Sequence, residues 1–275
     1  MKDFLIKDMD AGYYQQKIIS GLDLEIPMGQ ITTIIGPNGC GKSTLLKAMG
    51  RIIGVSGGSI CLNGREIQDY SCRELARRLS ILPQSPTAPE GLTVEELVSY
   101  GRYPHQKGLG KLKEEDRKVV AWALEITGLG GLSRQSVDHL SGGQRQRVWI
   151  ALALAQEAEV ILLDEPTTYL DMAYQLEVLE LLEELNRKHG TTIIMVLHDL
   201  NLASKYADYL IAMRDGKIVC QGKPEEVIRN DVLKEVYRID AQIIQEPSSG
   251  KPICISYRLM NERKKEEKDK EKVAS

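Results

Sequence analysis

Apolar residues recur along this chain with two periods. Between Leu22 and Ile26 they alternate with acids, Leu22-Asp23-Leu24-Glu25-Ile26, as in a half-buried strand. Ile31-Thr32-Thr33-Ile34-Ile35 is β-branched throughout and predicts a buried strand. Ser43 to Met49 predicts a helix. Ser59 to Leu62 predicts a short strand closed by the turn pair Asn63-Gly64. Glu74 to Arg78 reads as helix and Leu79 to Leu82 as another strand. Pro83, Pro86 and Pro89 then mark an irregular connection. Helical patterns follow to about Gln156, with Val119, Val120, Ala123, Leu124 and Thr127 on one face. Strand character resumes at Val160-Ile161-Leu162-Leu163, an unbroken apolar run of the kind found in the middle of a parallel sheet.

A long helix comes next, its apolar side formed by Leu176, Val178, Leu179, Leu182 and Leu185. Thr191 to Leu197 predicts another buried strand. Asp208 to Met213 and Lys217 to Cys220 flank Asp215-Gly216 and predict a hairpin. Gln242 to Gln245 and Ile253 to Tyr257 predict a second. The charged end, 263–272, has no core face and is expected to be frayed or disordered. The sum is an α/β chain with a helical insert in its middle.

Composition narrows the class. At 275 residues the chain is long enough for one large α/β domain. A formal net charge of −3 argues against a protein that coats nucleic acid. Five cysteines without C-x-x-C spacing predict reduced thiols and neither a disulfide frame nor a zinc site. No signal peptide is expected at the N-terminus. The longest apolar run, Val148 to Ala155, is too short to span a bilayer, so a membrane role would need a partner.

Chemistry enters at Gly36-Pro37-Asn38-Gly39-Cys40-Gly41-Lys42-Ser43-Thr44, a complete G-x-x-x-x-G-K-[ST] loop between a strand and a helix. Its glycines let successive N–H groups converge on one anion, and the helix N-terminus adds partial positive charge. Lys42 is placed to reach β- and γ-phosphates and the Ser43 hydroxyl to ligate Mg²⁺. Lys42 is expected to be exposed in the loop and paired only with phosphate. Asp164 ends a buried strand, where an acid points into the ligand crevice. An Asp there holds Mg²⁺ in enzymes with this loop, and Glu165 beside it can deprotonate the attacking water. Leu140-Ser141-Gly142-Gly143-Gln144 precedes a helical run that starts near Arg145, and makes a second anion-binding end. A second such end on one chain makes sense if it closes over the nucleotide of another copy.

With this LSGGQ pentapeptide between the phosphate loop and the acidic strand end, the chain resembles the ATP-binding cassette (ABC) family over about residues 4–240. The resemblance implies an α/β P-loop NTPase fold with a parallel core sheet, an N-terminal antiparallel β region and a helical insert at about 86–158. The cassette would occupy 1–240, a C-terminal β-hairpin 241–260 and a charged tail 261–275. Further roles follow from the family. Gln84 matches the Q-loop glutamine, which contacts Mg²⁺ or the lytic water. Tyr13 matches the aromatic that stacks on adenine, with Tyr14 beside it. Tyr169-Leu170-Asp171 matches the D-loop, and Tyr169 is bulkier than the usual Ala or Gly. His198 matches the switch histidine at the γ-phosphate. Cys40 departs from the Ser or Ala common in the loop, and a thiol beside Lys42 raises the question of oxidation.

The family also implies ATP and Mg²⁺ as cofactors and a head-to-tail dimer with each ATP between Lys42 of one copy and Ser141 of the other. Two polytopic permease subunits, and indirectly an extracytoplasmic substrate-binding protein, would complete an importer at the cytoplasmic face of the membrane. Leu79-Ser80-Ile81-Leu82-Pro83-Gln84, Gly91 to Val98 and Gly101-Arg102-Tyr103-Pro104-His105 resemble the ATPases that serve ferric-siderophore, haem and cobalamin uptake. An importer for another metal or solute stays open as an alternative. ABC proteins that act on ribosomes or DNA usually carry two cassettes or a long coiled coil, and this chain has one cassette and no sustained heptads. A nucleotide-binding scaffold without hydrolysis is disfavoured by Glu165 and His198.

Overall fold

The computed structural model of the chain describes residues 3–14, 16–84, 86–106, 112–168 and 170–260. Tyr169 and the tail 261–275 lie outside these described residues. Two long antiparallel strands open the chain, β1 (Phe4–Tyr13) and β2 (Gln16–Ile26). β3 (Ile31–Ile35) leads through the glycine loop into α1 (Lys42–Met49). β4 (Val55–Leu62) and the short β5 (Arg65–Glu66) complete a first sheet in the order β2-β1-β4-β5. α2 (Cys72–Ala76) and β6 (Leu79–Leu82) come before the insert. The insert holds α3 (Val94–Ser99), a 3₁₀ turn at Tyr100–His105, α4 (Glu114–Ile126) and α5 (Gly142–Ala155). β7 (Val160–Leu163), α6 (Met172–His189), β8 (Thr192–Val196) and α7 (Leu200–Tyr206) return to the core. A hairpin of β9 (Tyr209–Arg214) and β10 (Lys217–Gly222) follows, then α8 (Pro224–Val227), α9 (Asn230–Tyr237) and a terminal hairpin of β11 (Ile239–Gln245) and β12 (Pro252–Leu259).

The central sheet has the order β10-β9-β3-β8-β7-β6, with parallel pairing from β9 through to β6. Every residue of β3, β7 and β8 is buried, which is why these strands are apolar or β-branched throughout and show no alternation. Alternate residues of β3 feed two cores. Ile31 and Ile35 pack with the insert helices, α6 and α7, while Ile34 packs with α1 and the first sheet. The register matters for function. Ile34 pairs with Val196, and Leu163 pairs with both Met195 and Leu82. The C-terminal ends of β3, β6, β7 and β8 therefore share one edge, the edge where parallel α/β sheets bind ligands.

The residue pattern did not single out β1, although the resemblance implied an N-terminal antiparallel β region. Its ladder to β2 and β4 shifts register repeatedly between Ile6 and Gly12, and Asp8 sits at φ 46°. Such bulges break the period of two on which strand recognition depends. The Leu22–Ile26 alternation is only the second half of β2.

Candidate functional site

The glycine loop is shaped by what surrounds it. A Cβ on Gly36, at φ +152°, would lie 2.3 Å from the Met213 carbonyl oxygen and 2.7 Å from Cys40 Sγ, so nothing larger than glycine fits there. Gly41, at φ +105°, is the cap residue of α1 and makes the sharp entry that aims the helix N-terminus into the loop. The Lys42 side chain does not stand free as expected. It is buried, and its Nζ donates to the carbonyls of Gly36 at 2.8 Å and Pro37 at 2.9 Å. The physical reason is that a buried ammonium must be hydrogen-bonded, and the loop's own carbonyls are the acceptors within reach. The Cys40 thiol is buried too, and burial pushes its pKa up against the opposing charge of Lys42. A thiol held protonated is a poor nucleophile.

Ser43 Oγ donates to Asp164 Oδ1 at 2.9 Å, across 121 residues of sequence. Asp164 is buried at the end of β7, and burial raises its pKa, with the Ser43 hydrogen bond acting against and the Glu165 charge acting with that shift. The next residue turns sharply. Glu165 has φ 54°, an uncommon backbone for a side chain of its size and a form of strain that collects at functional sites. The turn directs its carboxylate to three donors. His198 Nε2 lies 2.7 Å from Oε1, while Gln84 Nε2 at 2.5 Å and Thr168 Oγ1 at 3.0 Å both donate to Oε2. Burial works to raise the Glu165 pKa, and the bonds from His198, Thr168 and Gln84 outweigh it, leaving the carboxyl below its ordinary value. The His198 side chain is 43% exposed and follows the end of β8. Asp199 beside it caps α7 by accepting from the N–H groups of Asn201 and Leu202.

Tyr13, Asn38, Gly39, Gly41, Lys42, Ser43, Thr44, Gln84, Glu165 and His198 all line one cavity of 550 Å³. Ile18 and Thr168 complete its wall; neither was singled out in the sequence. Thr168 follows Glu165 by three residues, a spacing that only becomes informative once the backbone turns back on itself. Tyr13 is 38% exposed, with Lys47 Nζ 6.0 Å from its ring centre. A larger cavity of 760 Å³ lies beside Trp122 and His189, at the opposite edge of the sheet. It contains none of these groups, so chemistry and not size locates the site. Ser43 hydroxyl, Asp164 carboxylate and the Gln84 side-chain carbonyl are oxygen donors, a set that fits Mg²⁺. Gln84 spends its amide N–H on Glu165 and keeps that carbonyl available.

Ser141 to Gln144 stand apart from this cavity. Ser141 Oγ accepts from the Gln144 N–H at 3.2 Å, and Gln144 Oε1 accepts from the Ser141 N–H at 3.0 Å. This reciprocal capping box starts α5 at Gly142, one turn earlier than the apolar pattern indicated, because glycines carry no periodicity. Ser141 and Gly142 are exposed and Gly143 is buried. A single copy thus presents two glycine-rich helix ends that do not meet on one cavity.

A family model described as "ABC transporter" matches residues 19–168. The chain is 51% identical over 264 residues to the iron(3+)-hydroxamate import ATP-binding protein FhuC of Bacillus subtilis, covering 96% of this chain and 98% of that one. It is 48% identical over 249 residues to the ferric enterobactin transport ATP-binding protein FepC of Escherichia coli, covering 90% and 92% respectively. Among solved structures, the dimeric post-hydrolysis state of the ATP-binding cassette MJ0796, bound to ADP and Pi, superposes with a TM-score of 0.70 at 28% identity, covering 80% of this chain and 98% of that one. A family match across more than half of the sequence, joined to identities near one half over almost its whole length, fixes the assignment that the cavity's chemistry pointed to: the chain belongs to the ABC transporter family.

Proposed function

We propose that this chain is the ATP-hydrolysing subunit of an importer for ferric siderophores. The observation that supports hydrolysis is the meeting of Ser43, Asp164, Glu165, Gln84 and His198 at the shared edge of four parallel strands. The cargo is carried over from relatives such as FhuC and FepC, which match nearly the full chain. ATP would lie with its adenine on Tyr13 and its phosphates on the loop N–H groups of 36–44. Lys42 would exchange the Gly36 and Pro37 carbonyls for the β- and γ-phosphate oxygens, stronger acceptors for an ammonium. Ser43, Asp164 and the Gln84 carbonyl would hold Mg²⁺. When bound, Mg²⁺ neutralises charge on the phosphate oxygens.

Glu165 accepts the proton of the water that attacks the γ-phosphorus, as the bond to the β-phosphate oxygen breaks and ADP leaves. Its lowered pKa keeps it ionised and ready to take that proton. His198, Gln84 and Thr168 fix both carboxylate oxygens, so the base does not swing away from the cavity. The exposed Ser141–Gln144 turn completes the site of a second copy arranged head to tail. ATP then favours the closed pair and its products do not, which is the differential a ligand needs to drive a conformational change.

No helix among the described residues is long and apolar enough to cross a membrane. We place the chain peripherally at the cytoplasmic face, docked on two polytopic permease subunits and coupled through them to an extracytoplasmic substrate-binding protein. In this reading the cassette is 1–240 with its insert at 86–158, followed by the hairpin 241–260 and the tail 261–275. The test is uptake of labelled iron under iron limitation, with and without siderophores, haem and cobalamin. Deletion should abolish siderophore-dependent uptake. Normal iron uptake together with loss of an unrelated solute's import would refute the cargo and leave the ATPase standing.

A further inference from the structure

The first turn of α5 is built on two consecutive glycines, the residue type that costs a helix about 1 kcal/mol each relative to alanine. Such a turn needs support from outside the helix. It comes from the start of α6. A Cβ on Gly143 would lie 3.1 Å from Cγ and 3.2 Å from Cδ1 of Tyr174, so the Gly143 backbone rests directly on the face of that ring. Gly142, one residue earlier, would meet nothing within 4 Å. Arg147 shares the Gly143 face of α5 one turn on. Its guanidinium lies 5.9 Å from the Tyr174 ring centre and pairs with Glu177, three residues along α6. Tyr174 is anchored through its backbone, whose N–H donates to Asp171 Oδ1 at 3.1 Å and caps α6. Among the described residues its hydroxyl makes no hydrogen bond, so the ring alone acts.

We infer that Tyr174 is a positioning residue for the Ser141–Gly143 turn. The ring sets the height and tilt at which the turn shows its free N–H groups to the outside, and Arg147 with Glu177 holds the ring in place. This rests on the reading that the turn completes the site of a facing copy. A flat ring suits the task because glycine has no side chain with which to grip a neighbour, and only a surface at van der Waals distance can support its backbone.

The test uses the full chain with saturating ATP and Mg²⁺, comparing steady-state hydrolysis with nucleotide affinity of the single copy. Tyr174→Ala should lower turnover by about 10- to 100-fold, the scale of a displacement near 1 Å in a reacting group. Its single-copy affinity and melting temperature should stay close to wild type, because the ring touches neither the phosphate loop nor the main cores. Tyr174→Phe should restore activity. Gly143→Ala should also lose hydrolysis, and adding Tyr174→Ala to it should cost little more, since both changes break the same contact. Turnover of Tyr174→Ala within about twofold of wild type, or a Phe variant as damaged as the Ala one, would overturn the inference. So would a parallel fall in single-copy affinity. Mixing Lys42→Ala chains with Ser141→Ala chains separates this from the underlying reading. If the lesions do not cross between copies, that reading fails and takes the inference with it. If they cross and Tyr174→Ala is silent, the inference fails alone.

Discussion

Replacing Arg102 by Met should destabilise the chain far more than an average substitution. Arg102 is 5% exposed and ties three parts of the helical insert together. Its Nε donates to Asp116 Oδ1 at 2.9 Å, and its Nη1 donates to the Ala155 carbonyl at 2.8 Å and to Glu157 Oε2 at 2.6 Å. Met fills similar volume and removes all three donors. Glu157 is half exposed and water can take over there. Asp116 is buried and would keep only the Lys113 N–H at 3.2 Å. An uncompensated buried charge of this kind costs about 3–5 kcal/mol. At roughly 2 °C per kcal/mol for a chain of this size, that is about 6–10 °C in Tm. Replacing both partners, Arg102→Met with Asp116→Leu, should recover most of the loss, because a buried pair exchanged for apolar groups is often neutral.

pH supplies a second check on the same pair. Burial acts to raise the Asp116 pKa, but the Arg102 hydrogen bond and charge and the Lys113 N–H outweigh it, so in the native state it lies below its ordinary value of 3.8. That contribution is present above the unfolded value and is lost as pH falls through the native pKa. In Arg102→Met burial dominates and the sign reverses, so Asp116 takes up a proton on acidification. The deficit of the variant should therefore shrink from pH 7 towards pH 4, measured by denaturant unfolding. A deficit below about 1 kcal/mol at neutral pH, or a double variant no more stable than the single, would show that the pair is not what holds the insert together.

Lys42→Ala should abolish useful ATP binding and, because Lys42 is buried against the Gly36 and Pro37 carbonyls, should also lower Tm by a few degrees, about 1–3 kcal/mol for two acceptors left without their donor; calorimetric titration with ATP and thermal melting read the two effects, and near-normal turnover would remove the loop from the site. Glu165→Gln should bind ATP and hydrolyse it about 10²- to 10⁴-fold more slowly, and should elute as an ATP-bound dimer in size-exclusion chromatography. Wild-type turnover with strictly monomeric elution would refute the base. Mixed dimers of Lys42→Ala and Ser141→Ala chains should hold one site with both lesions and one with neither, so the mixture should recover activity that neither variant has alone. No recovery would mean that both residues serve one site within one copy.

Much of this was legible in the sequence. The phosphate loop, Asp164, Glu165 and the Leu140–Gln144 turn are contiguous segments whose residue types carry the chemistry by themselves. The buried strands announced themselves as apolar runs because parallel strands in the middle of a sheet have no solvated face. What escaped was β1, whose bulges break the alternation, and the start of α5, whose glycines have no period. Gln84, His198 and Thr168 are ordinary polar residues in the linear chain. The family resemblance singled out Gln84 and His198 and missed Thr168, and the register that brings the ends of β6, β7 and β8 to one edge is what joins all three on one carboxylate.

The amino-acid sequence alone thus determined the fold class, the phosphate-loop motif and the presence of a second glycine turn at a helix start, because each is encoded in runs of neighbouring residues. Only the tertiary structure decided that Lys42 is buried against its own loop, that Glu165 is held by three donors, and that the glycine turn rests on Tyr174 and lies outside the cavity. The bonds from Gln84 and His198 to Glu165 and the contact of Gly143 with Tyr174 join residues far apart in the chain, set by sheet register and helix packing, while the burial of Lys42 depends on how the loop folds on itself; no local residue pattern specifies either.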